Sequence, residues 1–252
     1  MLKIPFLFNK VLINSEDKIK KFMSYKVNDF SYPTLPKKEV ILKNKSLILN
    51  SNRINKLVFI GSFKIALSKH GSYVYRYKLI KELLKYSNLF ELYGFGWNTT
   101  PLPFDIVGIA FIIKFKWLRK IAKFFMKSFF SPLGNFPIAD SKYNTLCKYN
   151  FSLAIEPTIS NFNSICEKIF DPMLVGTIPI YFGQKLNYIP KDTYIRVNKN
   201  TSAKDIIYII KNLSEDKKKE YRKNIYKFLI SKEADRYRYS NFANKIIDAI
   251  LY

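Results

Sequence analysis

NFNSICEKIFDPMLVGTIPIYFG, residues 161–183, runs from a polar loop into a helix, stops at a glycine and re-enters as an apolar strand. The spacing predicts a helix over residues 164–175 whose first turn holds Glu167 and Lys168, an end at Gly176 and a buried strand over Thr177–Phe182. Ser164 and Glu167 fit an S-x-x-E capping box, in which the two side chains satisfy each other's backbone N–H groups. The same helix start is a site for anions, because free N–H groups and the helix dipole both favour negative charge. Lys168 adds a point charge suited to a diphosphate. Taken alone, a lysine at a helix start is more often simply solvated, so the residues leave both readings open. Pro172 falls inside the helix and is expected to kink it, freeing the carbonyl of Lys168.

Outward from this stretch the chain alternates strand and helix. Strands are expected at Lys56–Ser62, Phe90–Gly94 and Phe151–Ile155. Helices are expected at Tyr73–Ser87, Lys142–Lys148, Ala203–Leu213, Glu215–Leu229 and Phe242–Leu251. Strands separated by helices of this length imply βαβ crossovers and a parallel sheet. The expected fold class is therefore α/β, a Rossmann-like parallel sheet with flanking helices. Its domain runs over residues 56–252, with a basic amphipathic insert at 97–140. Residues 1–55, lysine-rich and poorly periodic, form a separate N-terminal segment.

Composition narrows the function classes. The 252 residues carry 43 Lys+Arg against 19 Asp+Glu, a formal charge of +24, with 48% hydrophobic residues. That apolar content excludes a disordered basic tail. Two cysteines and one histidine argue against a Cys/His zinc site, a disulfide scaffold or a histidine-based triad. The abundance of Lys, Asn, Ile, Phe and Tyr suits an AT-rich coding bias, yet such a surface still attracts polyanions. No RNP-like or helix-turn-helix pattern occurs, and most of the aromatics must serve as core, so nucleic acid is not the expected partner. The apolar start, Met1–Val11, is broken by Pro5 and Lys10 and does not read as a signal peptide. A reduced, cytoplasmic location is expected.

The segment 166–183 resembles the donor-binding motif of the α1,3-fucosyltransferase family, in which E-K is followed by a glycine and then by P-x-Y-x-G. Here these positions are Glu167-Lys168, Gly176, and Pro179, Tyr181 and Gly183. Phe151–Glu156 is similar to the family strand ending in F-E-N, with Pro157 in place of Asn. Arg76 stands where the family has an arginine opening a helix, and Leu92–Gly96 matches its Y-G-x-G turn. The resemblance implies the donor domain of an inverting GT-B glycosyltransferase that uses GDP-fucose, a glycan acceptor and no cofactor or bound metal. It implies that Lys168 and Arg76 hold the diphosphate, and that Glu156 and Glu167 lie near the ribose or the sugar. Tyr181 is a donor-site candidate, and Tyr181 and Tyr188 are candidates to stack on guanine, with packing the commoner role for both. His70, in a loop near Arg76, is a weaker donor-site candidate. Ser164 and Cys166 replace the family's Tyr and Thr, which makes a nucleotide sugar a firmer expectation than GDP-fucose itself. The family's acceptor domain is far longer than the roughly 55 residues ahead of this donor unit. The alternatives are a reduced acceptor domain, one supplied by a partner, or a truncated inactive copy, and no catalytic base is named.

Residues 111–130, FIIKFKWLRKIAKFFMKSFF, carry a further pattern. Phe111, Phe115, Leu118, Ala122, Phe125 and Phe129 fall on one helical face, and Lys116, Lys120, Lys123 and Lys127 on the opposite one. An aromatic face beside a lysine face suits the surface of an anionic membrane, with Lys114 snorkelling from the apolar side. The alternative is that the apolar face packs on the domain core.

Overall fold

The computed structural model describes residues 10–13, 26–29, 34–50, 52–67, 71–102, 115–159 and 165–251. Two four-residue strands, β1 (Lys10–Ile13) and β2 (Lys26–Asp29), pair in parallel. The expected apolar runs become β3 (Ile54–Ile60), β4 (Phe90–Tyr93), β5 (Tyr149–Ile155) and β6 (Ile178–Phe182). A three-residue strand, β7 (Ile195–Val197), which is too short to announce itself in sequence, joins them. They form one parallel sheet in the order β4-β3-β5-β6-β7. Every residue of β5 and β6 is buried, which is why these strands read as unbroken apolar runs.

The helices are α1 (Lys38–Lys43), α2 (Lys45–Leu49), α3 (Tyr73–Leu83), α4 (Lys116–Phe129), α5 (Lys142–Leu146), α6 (Glu167–Leu174), α7 (Ala203–Asn212), α8 (Glu215–Leu229) and α9 (Tyr239–Leu251). Helix α6 starts later than the sequence spacing suggests. Its N-cap is Cys166, which places Glu167 at the first helical position rather than the third. The expected capping box therefore has the wrong register, and Ser164 lies outside the described residues. On one sheet face Leu57, Phe59, Phe151, Leu153, Ile155 and Ile180 pack with residues of α3 and α7. On the other, Ala154 and Tyr181 pack with α6 and α8, and with Leu35, Ile41 and Ile48. Residues 34–50, which the sequence reading sets apart from the 56–252 unit, thus contribute to the same core.

One glycine couples these parts. Gly176 follows α6 with φ +74°, and the amides of Gly176 and Thr177 bond the carbonyls of Met173 and Pro172, the two bonds of a Schellman cap. A Cβ at Gly176 would collide with the carbonyl oxygen of Ile48 in α2. Glycine is needed here both for the left-handed backbone and for the close approach of α2. Gly176→Ala is expected to cost about 2–4 kcal/mol of unfolding free energy in urea titration. A change below about 0.5 kcal/mol would show that α2 yields without cost.

Candidate functional site

The sheet order reverses between β3 and β5. From β3 the chain builds β4 on one side, then crosses to place β5 on the other side of β3. The crossovers leaving the carboxyl ends of β3 and β5 therefore run to opposite sides, and this switch point is where a ligand crevice usually lies in such sheets. Four of the five expected donor-site residues lie at the carboxyl ends of β5 and β6 or at the start of α6, and the fifth lies on α3.

Glu156 directly follows β5 and is almost completely buried. Its Oε1 accepts from the backbone N–H of Cys166 at 3.3 Å and from the Tyr181 hydroxyl at 3.5 Å. Burial pushes its pKa up, and the hydrogen bonds from Cys166 and the charge of Lys168 only partly oppose that. A Cβ at Gly183 would collide with the Tyr181 hydroxyl, so the motif glycine leaves room for this contact. Glu167 and Lys168 pair at 3.0 Å, and the Lys168 ammonium also reaches Cys166 Sγ at 3.6 Å. Burial works against the Lys168 charge, but Cys166, Glu167 and Glu156 outweigh it and hold the pKa above the ordinary lysine value. Burial likewise raises the Glu167 pKa, and Lys168 more than reverses the effect. The cluster is a half-buried, charged lysine flanked by two carboxyl groups in different protonation environments.

Arg76 stands across the crevice on α3 and hydrogen-bonds none of these four. Its Nη2 donates to the carbonyls of Ser62 and Lys64 at 3.3 and 3.1 Å, and its guanidinium lies 4.5 Å from the Tyr73 ring centroid. Burial lowers its pKa to about 10, which leaves it charged at neutral pH. The arginine expected to hold a diphosphate directly is thus also the clamp on the loop after β3. Tyr181 is fully buried against Tyr194 and offers no face for a base, so its reach into the site is through its hydroxyl and Glu156. Tyr188 is exposed, with the Arg236 guanidinium 3.4 Å from its ring centroid. His70 lies outside the described residues.

Two residues went unread in sequence. Ser72 joins the two sides of the crevice: its hydroxyl donates to the Glu156 carbonyl and its amide to the Pro157 carbonyl, at 3.1 Å for the latter. Gln184, beside Gly183, is buried with neither amide atom hydrogen-bonded among the described residues. Neither residue type carries a spacing signal. A cavity of about 380 Å³, lined by residues such as Thr34, Ile41, Leu47 and Leu174, lies by the end of α6 remote from this cluster. Its lining holds no charged side chain, so it lacks the chemistry for a diphosphate.

The raised pKa of Glu156 has a measurable consequence. Above the unfolded carboxyl pKa of about 4.3, the unfolded chain has released a proton that the folded chain still holds. Stability from this group therefore falls as pH rises from there to the folded pKa. Glu156→Gln should remove that fall, and its melting temperature should gain on wild type as pH rises from 4 to 7. A constant difference between the two curves would show that Glu156 has an ordinary pKa.

Residues 119–235, just under half of the chain, match the family model described as Glycosyltransferase family 10 (fucosyltransferase) C-term. The match takes in Glu156, Glu167, Lys168 and Tyr181, begins within α4, and leaves Arg76 outside. No curated protein matches the chain. Among solved structures, an α-glucosyltransferase in complex with UDP and a 13-mer DNA is 16% identical, with 97% of this chain and 65% of that one covered at a TM-score of 0.53. A UDP-forming trehalose-phosphate synthase from Burkholderia xenovorans is 9% identical, with coverage of 97% and 62% and the same TM-score of 0.53. An α1,3-fucosyltransferase with GDP-fucose is 14% identical, covering 83% and 52% at a TM-score of 0.41. At these identities the likeness is one of fold, and this chain spans less than two thirds of the length of each. The parallel sheet shares the fold of the α-glucosyltransferase, and residues 119–235 match the C-terminal domain model of the family 10 fucosyltransferases.

Proposed function

We propose that this chain is the donor-binding part of an inverting glycosyltransferase that moves a sugar, fucose from GDP-fucose, to a glycan acceptor of the surface-polysaccharide or lipopolysaccharide type. The observation that carries the reading is the Glu156–Glu167–Lys168 cluster at the carboxyl edge of the sheet, inside the matched segment. When the bond between the sugar C1 and the diphosphate oxygen breaks, negative charge grows on the leaving nucleoside diphosphate. A fixed cation lowers the barrier if it is already aimed where that charge develops. Lys168 is such a cation. It is partnered by Glu167, and a diphosphate would compete for it. Arg76 adds a second fixed charge across the crevice while holding the loop that the phosphates would approach. Glu156 and Glu167 are placed to accept or donate hydrogen bonds at ribose or sugar hydroxyls. Two cations acting in this way take the role a divalent metal plays elsewhere, so no metal or cofactor enters the proposed reaction.

Titration calorimetry with GDP tests the donor assignment. Lys168→Ala is expected to weaken binding by about 10–150-fold, the loss of a charge-assisted hydrogen bond, with the melting temperature little changed. EDTA should leave the wild-type affinity unchanged. Equal GDP affinity in wild type and Lys168→Ala would remove the assignment, and binding that appears only with added Mn²⁺ or Mg²⁺ would replace the metal-free reading.

The acceptor side of the proposal is an anionic membrane surface at the cytoplasmic face, engaged through residues 111–130. Of these, α4 covers Lys116–Phe129, while Phe111 and Lys114 lie outside the described residues. The apolar face of α4 is only partly used by the fold. On that face Leu118 and Ala122 are half-buried, whereas Phe125 and Phe129 are 64% and 73% exposed, and Trp117 and Phe124 on its flank are exposed too. Lys116, Arg119, Lys120, Lys123 and Lys127 line the remaining arc, and the helix holds no acidic residue. No helix among the described residues is long and apolar enough to cross a membrane. The proposed mode is instead an interfacial one, in which the exposed rings enter the headgroup region and each basic residue adds about 1 kcal/mol. Wild type should co-sediment with phosphatidylserine-containing vesicles at low salt and release at high salt. Changing Lys116, Lys120, Lys123 and Lys127 to Glu should abolish that, and equal sedimentation of the variant would contradict the bilayer reading.

A further inference from the structure

The carboxyl edge of the sheet carries a second cleft, which the donor cluster does not use. It opens between residues 94–98, the turn after β4, and residues 134–138, which follow α4, and it encloses about 210 Å³. That is too small for a nucleoside diphosphate, since drug-sized ligands occupy roughly 300 Å³ or more. It is of a size for one small ring.

Its chemistry is specific. The Phe95 ring is 65% exposed and stacks on no ring among the described residues. The side-chain amides of Asn98 and Asn135 are exposed and make no hydrogen bond with the described residues. Each amide offers both donors and an acceptor. An aromatic face beside two free amides matches a pyranose, whose C–H groups present an apolar, faintly positive surface to a ring face and whose hydroxyls pair with amides. The floor is rigid: Trp97 Nε1 donates to the Gly61 carbonyl at 2.8 Å, and its ring stacks on Phe63 at 4.8 Å. Gly94, φ +142°, passes so close to Gly61 that a Cβ would collide with that same carbonyl.

Position gives the cleft its meaning. One loop, Gly61–Lys64, separates it from Arg76. On one flank the Phe63 amide donates to the Phe95 carbonyl at 3.0 Å, and on the other Arg76 clamps Ser62 and Lys64. Strand β4 is two places from β5, so the end of β4 and Glu156 stand about 10 Å apart along the same edge. Helix α4 also runs directly into the cleft wall. The Phe130 amide bonds Met126 in the helix, and the Leu133 amide bonds the Trp97 carbonyl at 2.8 Å.

We propose that this cleft is a sugar subsite on the acceptor side. It takes one pyranose ring of a saccharide, with Phe95 against the ring face and Asn98 and Asn135 on its hydroxyls. The word acceptor rests on the glycosyltransferase reading above, whereas the saccharide specificity of the cleft does not.

Saturation-transfer NMR on the full chain tests it, with methyl β-glucoside, methyl β-galactoside and methyl N-acetyl-β-glucosaminide as probes. At least one probe should show transfer in wild type. The affinity should fall about 3–10-fold in Phe95→Ala and in Asn98→Ala/Asn135→Ala, and Phe95→Trp should restore it. GDP affinity should be the same in all four proteins. No transfer from any probe in wild type would overturn the proposal, as would undiminished affinity in both alanine variants. So would loss of vesicle binding in Phe95→Ala without loss of saccharide binding, which would assign the ring to the bilayer. A wild type that binds a glycoside but not GDP would fail the donor reading and keep the saccharide cleft.

Discussion

Two neighbouring parallel strands, β3 and β5, send their loops in opposite directions, and the chemistry of this protein is built on that divergence. The sheet order β4-β3-β5-β6-β7 forces it, because the first crossover returns to one side of β3 and the next must pass to the other. A gap between diverging loops would fill with water or collapse unless something spanned it. Ser72 spans it from the start of α3, bonding the carbonyls of both Glu156 and Pro157. The backbone at Glu156 and Pro157 is then fixed, and Glu156 is held against Tyr181 and the start of α6. Lys168 follows from the same geometry, since the first turn of α6 can only present its side chains to this edge.

Positive charge is used differently at the two ends of the sheet. Toward the amino ends of the strands, Arg53 donates to the carbonyls of Cys147 and Leu47 at 2.6 and 2.7 Å and to that of Val175 at 2.5 Å. It fastens α2, the residues before β5 and the end of α6 to one another. Burial, with Arg222 nearby, lowers its pKa to about 10, which leaves it charged at neutral pH. Its donors go to backbone oxygens and to the Thr177 hydroxyl. At the carboxyl ends, Lys168 pairs with the neighbouring Glu167 carboxylate, reaches Cys166 Sγ and keeps part of its surface exposed. Arg53 thus serves as internal fastening, as Arg76 also does on the loop after β3, whereas the Lys168 ammonium remains partly exposed beside a carboxylate. Carboxyl groups are scarce in this sequence, and two of them flank that lysine.

The strands were legible because burial on both faces writes continuous apolar runs, as in Phe151–Ile155 and Thr177–Phe182. The glycine stop at Gly176 was legible for a related reason, since a left-handed cap leaves few alternatives to glycine. Strand β7 was not, because three residues carry no period. Helices α1 and α2 were hidden in lysine-rich sequence, where Leu35, Ile41 and Ile48 are too few to signal that this segment seals the core. Within the site, Glu156, Glu167 and Lys168 were visible through a motif. Their burial and pairing were not, because these depend on which strand end meets which helix start. Arg76 was correctly placed on a helix near its start, but its hold on the carbonyls of Ser62 and Lys64 is a tertiary fact. The exposure of half the apolar face of α4 is likewise set by what the rest of the chain leaves uncovered. Periodicity alone describes a buried amphipathic helix and an interfacial one equally well.

Hydrogen–deuterium exchange with and without GDP tests most directly the claim that the β3/β5 crevice is the donor site. The account predicts added protection in the described parts of three segments: the loop after β3 through Arg76, Glu156 to Lys168, and Gly183 to Leu186. It predicts none around Thr34–Leu47 and Tyr239, where the apolar cavity lies. Protection confined to that cavity, or none at the three loops under saturating GDP, would contradict it.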